Sequence, residues 1–224
     1  MPEDTVNDEA EELFDRGGTF IEYGDYDKAL AVFTKAIKLY PKAEYFAARG
    51  SAYQLKGIRD KAIADYSEAI KIDPSYAPVY GARGAAYCEK KEYAEAIKDL
   101  SELIRLEPNN RLAYDQRGIV YTEREEYDKA IKDFTETIRL DPGYAGGYAR
   151  RGAVYRSMKE PEKAIQDFSE AIKIEPTANA YSCRGTLYSE TGRKDLALQD
   201  LQEAVRLDPK DELAKLVLKM VSKE

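Results

Sequence analysis

Apolar residues recur in this chain on two nested periods. Within short stretches they fall at i, i+4 and i+7, the spacing that lines one face of an α-helix. Along the whole chain the same pattern returns every 33 or 34 residues. Six segments align without a gap: RGGTFIEYGDYDKALAVFTKAIKLYP (16–41), RGSAYQLKGIRDKAIADYSEAIKIDP (49–74), RGAAYCEKKEYAEAIKDLSELIRLEP (83–108), RGIVYTEREEYDKAIKDFTETIRLDP (117–142), RGAVYRSMKEPEKAIQDFSEAIKIEP (151–176) and RGTLYSETGRKDLALQDLQEAVRLDP (184–209). Their glycines, Gly17, Gly50, Gly84, Gly118, Gly152 and Gly185, step by 33, 34, 34, 34 and 33 residues. A period of this length signals a stack of like units.

Counted from that glycine, each unit reads as two helices. The first carries Leu or an aromatic at −4 (Leu13, Phe46, Tyr80, Tyr114, Tyr148, Tyr181) and an aromatic at +3 (Phe20, Tyr53, Tyr87, Tyr121, Tyr155, Tyr188), so ring, glycine and ring share a face. A glycine inside a helix costs about 1 kcal/mol against alanine. Its return in every unit calls for a close helix neighbour. The second helix has Ala at +12 (Ala29, Ala62, Ala96, Ala130, Ala164, Ala197), a bulky apolar residue at +16 (Phe33, Tyr66, Leu100, Phe134, Phe168, Leu201) and Ile or Val at +20. Lys or Arg at +21 suits the helix C-terminus, and Pro at +24 ends the helix. The expectation is that the small glycine faces the small alanine, with the rings around them. One such hairpin cannot bury its own apolar face, whereas stacked hairpins can, so the fold class is an all-α solenoid.

These columns closely resemble the tetratricopeptide repeat family, over about residues 10–211. The resemblance implies a right-handed α-solenoid of six helix-turn-helix repeats (10–42, 43–76, 77–110, 111–144, 145–177 and 178–211). An acidic lead, 1–9, precedes it and a capping helix, 212–224, follows. It also implies a non-catalytic scaffold or adaptor that holds a peptide or helical segment of a protein partner in the concave groove lined by the first helices. The family's groove positions fall on Glu11, Phe14, Gly18 and Ile21, on Glu44, Ala47, Ser51 and Gln54, and on Pro78, Gly81, Ala85 and Cys88. In the later repeats they fall on Leu112, Asp115, Ile119 and Thr122, on Gly146, Ala149, Ala153 and Arg156, and on Asn179, Ser182, Thr186 and Ser189. The centre of the expected groove runs from Gly81 to Arg156, with Leu112 and Ile119 as its apolar middle and Arg150 and Arg156 as a positive corner. Glu22, Glu89, Glu123 and Glu190 make an acidic margin. Family members that clamp the C-terminal carboxylate of heat-shock chaperones do so with Lys and Asn. They use the positions at −3 and +1 from the glycine, which carry neither residue here, so the resemblance does not extend to that partner.

Two features depart from the family pattern. Where Leu is usual before the glycine, all six units have Arg: Arg16, Arg49, Arg83, Arg117, Arg151 and Arg184. Five units carry Asp at +15: Asp65, Asp99, Asp133, Asp167 and Asp200, with Val32 in the first. Matched charges in register read as a structural Arg–Asp ladder; the other reading is a stripe for an anionic ligand. The second departure is the joint RLDPGYAGGYARRG (139–152), which reads as a soft, positive corner. Its glycines Gly146 and Gly147 weaken a helix start beside Arg150.

Composition narrows the chemistry. The chain holds 35 basic and 42 acidic residues, and six of the acids lie in residues 1–12, leaving the body nearly neutral. That gives no electrostatic footprint for nucleic acid. Thirteen of the 18 tyrosines sit in repeat columns and are read as packing; Tyr23, Tyr40, Tyr45, Tyr76 and Tyr144 remain. No histidine and only two cysteines, Cys88 and Cys183, exclude a His-based metal site, a Cys–His nucleophile and a disulfide framework. No cofactor is expected, nor an enzyme. No apolar run approaches the roughly 20 residues of a membrane span, and the N-terminus has no apolar signal core, so a cytoplasmic location is expected if the chain is complete. The terminal segment ELAKLVLKMVSKE is apolar on more than one side. It reads as a cap over the last repeat, or as an edge for a homodimer and so for an assembly module.

Overall fold

A computed structural model describes residues 3–222, and among these every regular element is an α-helix. In order they are α1 (Glu3–Glu22), α2 (Tyr26–Leu39), α3 (Ala43–Leu55), α4 (Arg59–Ile72), α5 (Ala77–Glu89), α6 (Tyr93–Leu106), α7 (Arg111–Glu123), α8 (Tyr127–Leu140), α9 (Ala145–Ser157), α10 (Pro161–Ile174), α11 (Ala178–Glu190), α12 (Lys194–Leu207) and α13 (Glu212–Val221). The first two residues of the acidic lead and the last two of the terminal segment lie outside the described residues. The chain divides into two compact units, residues 1–113 and 114–224.

The repeat columns explain why the chain turns where it does. The first helix of each repeat ends at +5, and +7 adopts the left-handed backbone in all six: Gly24, Gly57, Lys91, Glu125, Lys159 and Gly192, at φ between 58 and 75°. Three repeats supply glycine there and three do not, which costs a non-glycine residue about 1 kcal/mol. Beyond the second helix the proline blocks continuation. In three of the joints that follow, an aspartate side chain accepts from the backbone two residues on: Asp73 from Ser75 N, Asp141 from Gly143 N and Asp208 from Lys210 N.

In five of the six hairpins a Cβ on the repeat glycine would first meet the bulky +16 residue; at Gly152 it would meet Asp167 Cβ at 3.2 Å and the Ala164 carbonyl at 3.3 Å, just ahead of Phe168. A Cβ on Gly118 would stand 2.8 Å from Phe134 Cε1, and one on Gly50 would stand 2.7 Å from Tyr66 Cε1. The alanine contributes its backbone instead; the carbonyl of Ala62 would be 3.3 Å from that Gly50 Cβ. The expected glycine–alanine facing is therefore corrected. A flat ring edge needs a Cβ-free surface more than a methyl group does.

Successive repeats meet through a second pair, the +19 residue of one and the −5 residue of the next, and the two are matched in size. In the N-terminal unit Ala36 meets Tyr45, Ala69 meets Val79, and Leu103 meets Ala113, all buried. In the C-terminal unit Thr137 meets Gly147, and Ala204 meets Ala214. Where the +19 residue is larger than alanine, as at Leu103 and Thr137, the −5 residue is Ala113 or Gly147, which keeps those joints at close-packed density. Thr137 is fully buried and its Oγ1 has no hydrogen-bond partner.

Candidate functional site

Each charged column position has a defined place. In the N-terminal unit Arg49 binds Asp65 through two parallel bonds (Nε–Oδ2 2.7 Å, Nη2–Oδ1 2.8 Å), and Arg83 binds Asp99 in the same way at 2.7 Å for both. In the C-terminal unit Arg117 grips Asp133, Arg151 grips Asp167 and Arg184 grips Asp200, all with both bonds between 2.7 and 2.8 Å. The pairing lies within a repeat, and the fork geometry is the strong form of an ion pair. The remaining nitrogen reaches back one repeat: Arg49 to Thr34, Arg83 to Ser67, Arg151 to Thr135, and Arg184 to Ser169. Ser67 and Ser169 in turn donate to the carbonyls of Ile63 and Ile165. Rings at −4 and +3 flank the guanidinium, as Tyr181 and Tyr188 do at 5.7 Å from Arg184. Hydrogen bonds to the aspartates raise the pKa of Arg49, Arg83, Arg151 and Arg184. These guanidinium groups are committed to carboxylates and hydroxyls. Arg16 stands apart: it is exposed, and Val32 replaces its aspartate.

The expected groove residues divide by unit. In the C-terminal unit Ile119 and Arg156 are exposed, and Arg156 Nη1 lies 3.8 Å from Cys183 Sγ. Ala149 and Ala153 pack, half-buried, against the Ala164–Phe168–Leu187 core. Thr122 donates to the carbonyl of Gly118. Asp115 does not line open surface: it is 5% exposed and accepts from Arg150 Nη1 at 2.9 Å. Arg150 also donates to the Tyr144 hydroxyl and lies over that ring at 5.7 Å. A Cβ on Gly146 would stand 2.5 Å from the Tyr144 ring, and one on Gly147 would stand 3.1 Å from Ile138. The soft, positive corner is corrected accordingly. Its glycines make room for packed groups, Arg150 is neutralised by Asp115, and Arg156 is left as the outward charge.

In the N-terminal unit Gly81 lies close to Leu103, Ala85 and Cys88 are half-buried, and Leu112 is exposed. Burial pushes the Cys88 thiol up, and Glu89 adds to this; Cys183 is also pushed up by burial. Both cysteines are free. The open space of this unit lies nearer its start. A recess of 240 Å³ sits among α1, α3 and α5, walled by Phe14, Ala47, Ser51, Tyr76, Pro78 and Ala82, with Tyr66 of α4 at its floor and Glu44 at its rim. A second recess of 260 Å³ adjoins it, sharing Phe14 and Glu44 and adding Glu11, Asp15, Lys42 and Tyr45. The floor is a hydrogen-bonded set: Tyr66 Oη donates to Gln54 Oε1 (2.9 Å) and sits 3.3 Å from Ser51 Oγ, while Gln54 Nε2 donates to Glu89. Glu89 is held below the usual carboxylate range by Arg59 and Gln54, so this member of the acidic margin is already paired. Tyr76 lies outside the repeat columns, which is why column reading alone did not place it in this wall.

At the other end, α13 starts on Asp211, whose side chain accepts from Ala214 N at 2.8 Å. It packs Ala214, Val217, Leu218 and Val221 against α12. Leu213, Leu216 and Met220 point away, at 60, 56 and 58% exposure. Among the described residues no helix is long and apolar enough to cross a membrane, and no cluster of His, Cys, Asp or Glu is placed to hold a metal ion.

Comparison with known proteins extends this picture. Residues 39–224 match the family model of the ETO1 C-terminal domain, and residues 10–43 match that of the tetratricopeptide repeat. No curated protein matches the sequence. Among solved structures, MamA is similar with a TM-score of 0.69 and 29% identity, over 71% of this chain and 94% of that one. YrrB, described as a TPR protein with an unusual peptide-binding site, is similar with a TM-score of 0.72 and 23% identity, over 84 and 97% of the two chains. PilF of Pseudomonas aeruginosa reaches a TM-score of 0.77 at 20% identity, over 98 and 100%.

Proposed function

This chain belongs to the family of the ETO1 C-terminal domain, within the tetratricopeptide-repeat proteins, and from that premise we propose that it is a protein–protein interaction scaffold holding a peptide or helical segment of a partner on the face of its first helices. The observation that carries this reading is the pair of recesses, one among α1, α3 and α5 with mostly apolar walls and one beside it at α1 and α3 with mostly charged walls, which leave room for side chains of another chain. The repeat family is generally a non-catalytic interaction fold, and the column arginines other than Arg16 are bound to aspartates. YrrB, whose description names a peptide-binding site, supports the same direction.

The exposed Ile119 and Arg156 mark the corresponding face in the C-terminal unit. The test is capture of the partner from native extract by the immobilised full chain, with Ile119→Asp and Arg156→Glu as paired controls. Both variants are expected to lose capture by tenfold or more while their thermal unfolding stays within about 2 °C of the parent, as surface changes do. Undiminished capture by both would place the partner elsewhere.

A second reading has its own observation. The row Leu213, Leu216 and Met220 leaves one face of α13 uncovered, which favours an assembly module that self-associates through that helix.

A further inference from the structure

The two recesses of the N-terminal unit share Phe14 and Glu44 and so form one stretch of surface. Its chemistry is lopsided. Phe14, Pro78 and the ring of Tyr76 make an apolar and aromatic wall. The charged groups are three carboxylates, Glu11, Asp15 and Glu44, against the single ammonium of Lys42. That ammonium is already spent on Glu11 at 2.9 Å. Asp15 and Glu44 have no ion-pair partner among the described residues. Tyr45 forms part of the same wall and is 2% exposed, with Lys42 Nζ 5.6 Å from its ring centroid. The recess of 240 Å³ has the room of about eight waters at about 30 Å³ each, the size of one long side chain.

We propose, resting on the scaffold reading above, that this surface takes a basic side chain, arginine or lysine, of the bound segment. Its methylene stem lies along Phe14 and Tyr76, and its charged head meets Glu44 and Asp15. Long basic side chains combine these two needs, an apolar stem and a solvated cation, and aromatic faces attract the cation as well. An acidic segment would meet two uncompensated carboxylates, and a purely apolar one would leave them without a partner.

The test uses the full chain and N-acetylated, C-amidated heptapeptides of alanine and leucine with a central Arg, Lys, norleucine or Glu, titrated by calorimetry and by amide chemical shifts. The Arg or Lys peptide should bind about fivefold or more tightly than the norleucine peptide, the yield of roughly 1 kcal/mol from a half-exposed ion pair. The preference should shrink with added salt and vanish in Glu44→Gln without a change in Tm. Equal binding of the norleucine peptide, or a preference that survives Glu44→Gln and Asp15→Asn, overturns the proposal. If the norleucine peptide binds equally and Ala47→Arg, which fills the recess, abolishes it, the scaffold reading stands and only charge selection falls. If no peptide of any charge shifts the amides of Ala47 and Ser51, both fall.

Discussion

At the scale of single residues, the arginine before the glycine of repeats two to six is a joint in three directions. It grips an aspartate on the second helix, reaches a hydroxyl of the preceding repeat where one is in place, and lies beside aromatic rings. The Arg117 and Asp133 side chains are only 17 and 7% exposed. Removing one partner of so covered a pair leaves the other without compensation. Asp133→Asn turns one acceptor into an N–H₂ facing the guanidinium. It is expected to cost about 2–3 kcal/mol, below the figure for full burial because the guanidinium keeps an edge in water. Urea unfolding of the variant should show a lower midpoint, while partner capture at a temperature where it is folded stays at parent level. A variant of normal stability that had lost its partner would return the arginines to the role of ligand groups.

At the scale of elements, the joints between repeats carry the information. Thr137 and Gly147 occupy a contact that Ala204 and Ala214 fill at another joint. Gly147→Ala alone would bring a methyl to 3.2 Å from Thr137 Cγ2. Overpacking of that kind costs about 1–3 kcal/mol, against about 1 kcal/mol gained in helix propensity. Thr137→Ala removes a buried hydroxyl without a partner, and the double variant recreates an Ala–Ala joint. The double-mutant cycle in urea is expected to show a coupling of about 1 kcal/mol or more, with the double variant at least as stable as the parent. Purely additive effects would mean the two side chains do not share their space. The same contrast explains what was legible in the sequence. The helices, their ends and the arginine–aspartate pairs repeat at constant spacing, so periodicity shows them. Arg150 on Asp115, Tyr144 over Gly146, and Tyr76 in the recess wall occur once each. A residue used once leaves no period, and only coordinates reveal what it touches. Family positions therefore place the groove around residues 81–156, while two recesses lie nearer the start of the chain and a larger one, of 530 Å³, lies against α11 and α12.

At the scale of the whole molecule, the uncovered face of α13 decides between a solitary scaffold and an assembling one. Leu218 packs inward on α12, so changing it would loosen the cap itself. Leu213→Glu with Met220→Lys is the cleaner probe, because both residues point outward. If α13 is an assembly edge, light scattering at rising concentration should show the parent growing beyond one chain mass and the double variant staying at one. A parent that remains at one chain mass removes the assembly reading. The unequal joints have a further bearing on how such a chain reaches its native state. Six near-copies of one hairpin could dock out of order, because the charged clasp offers the same grip at almost every repeat. The matched contacts differ from place to place: tyrosine against alanine, valine against alanine, alanine against leucine, glycine against threonine. Tyr45 docked on Leu103 would clash, and Gly147 docked on Ala36 would leave a void. The size match thus works as an address where a joint is unlike the rest: Leu103 and Thr137 admit only a small partner, and Tyr45 and Val79 need an alanine.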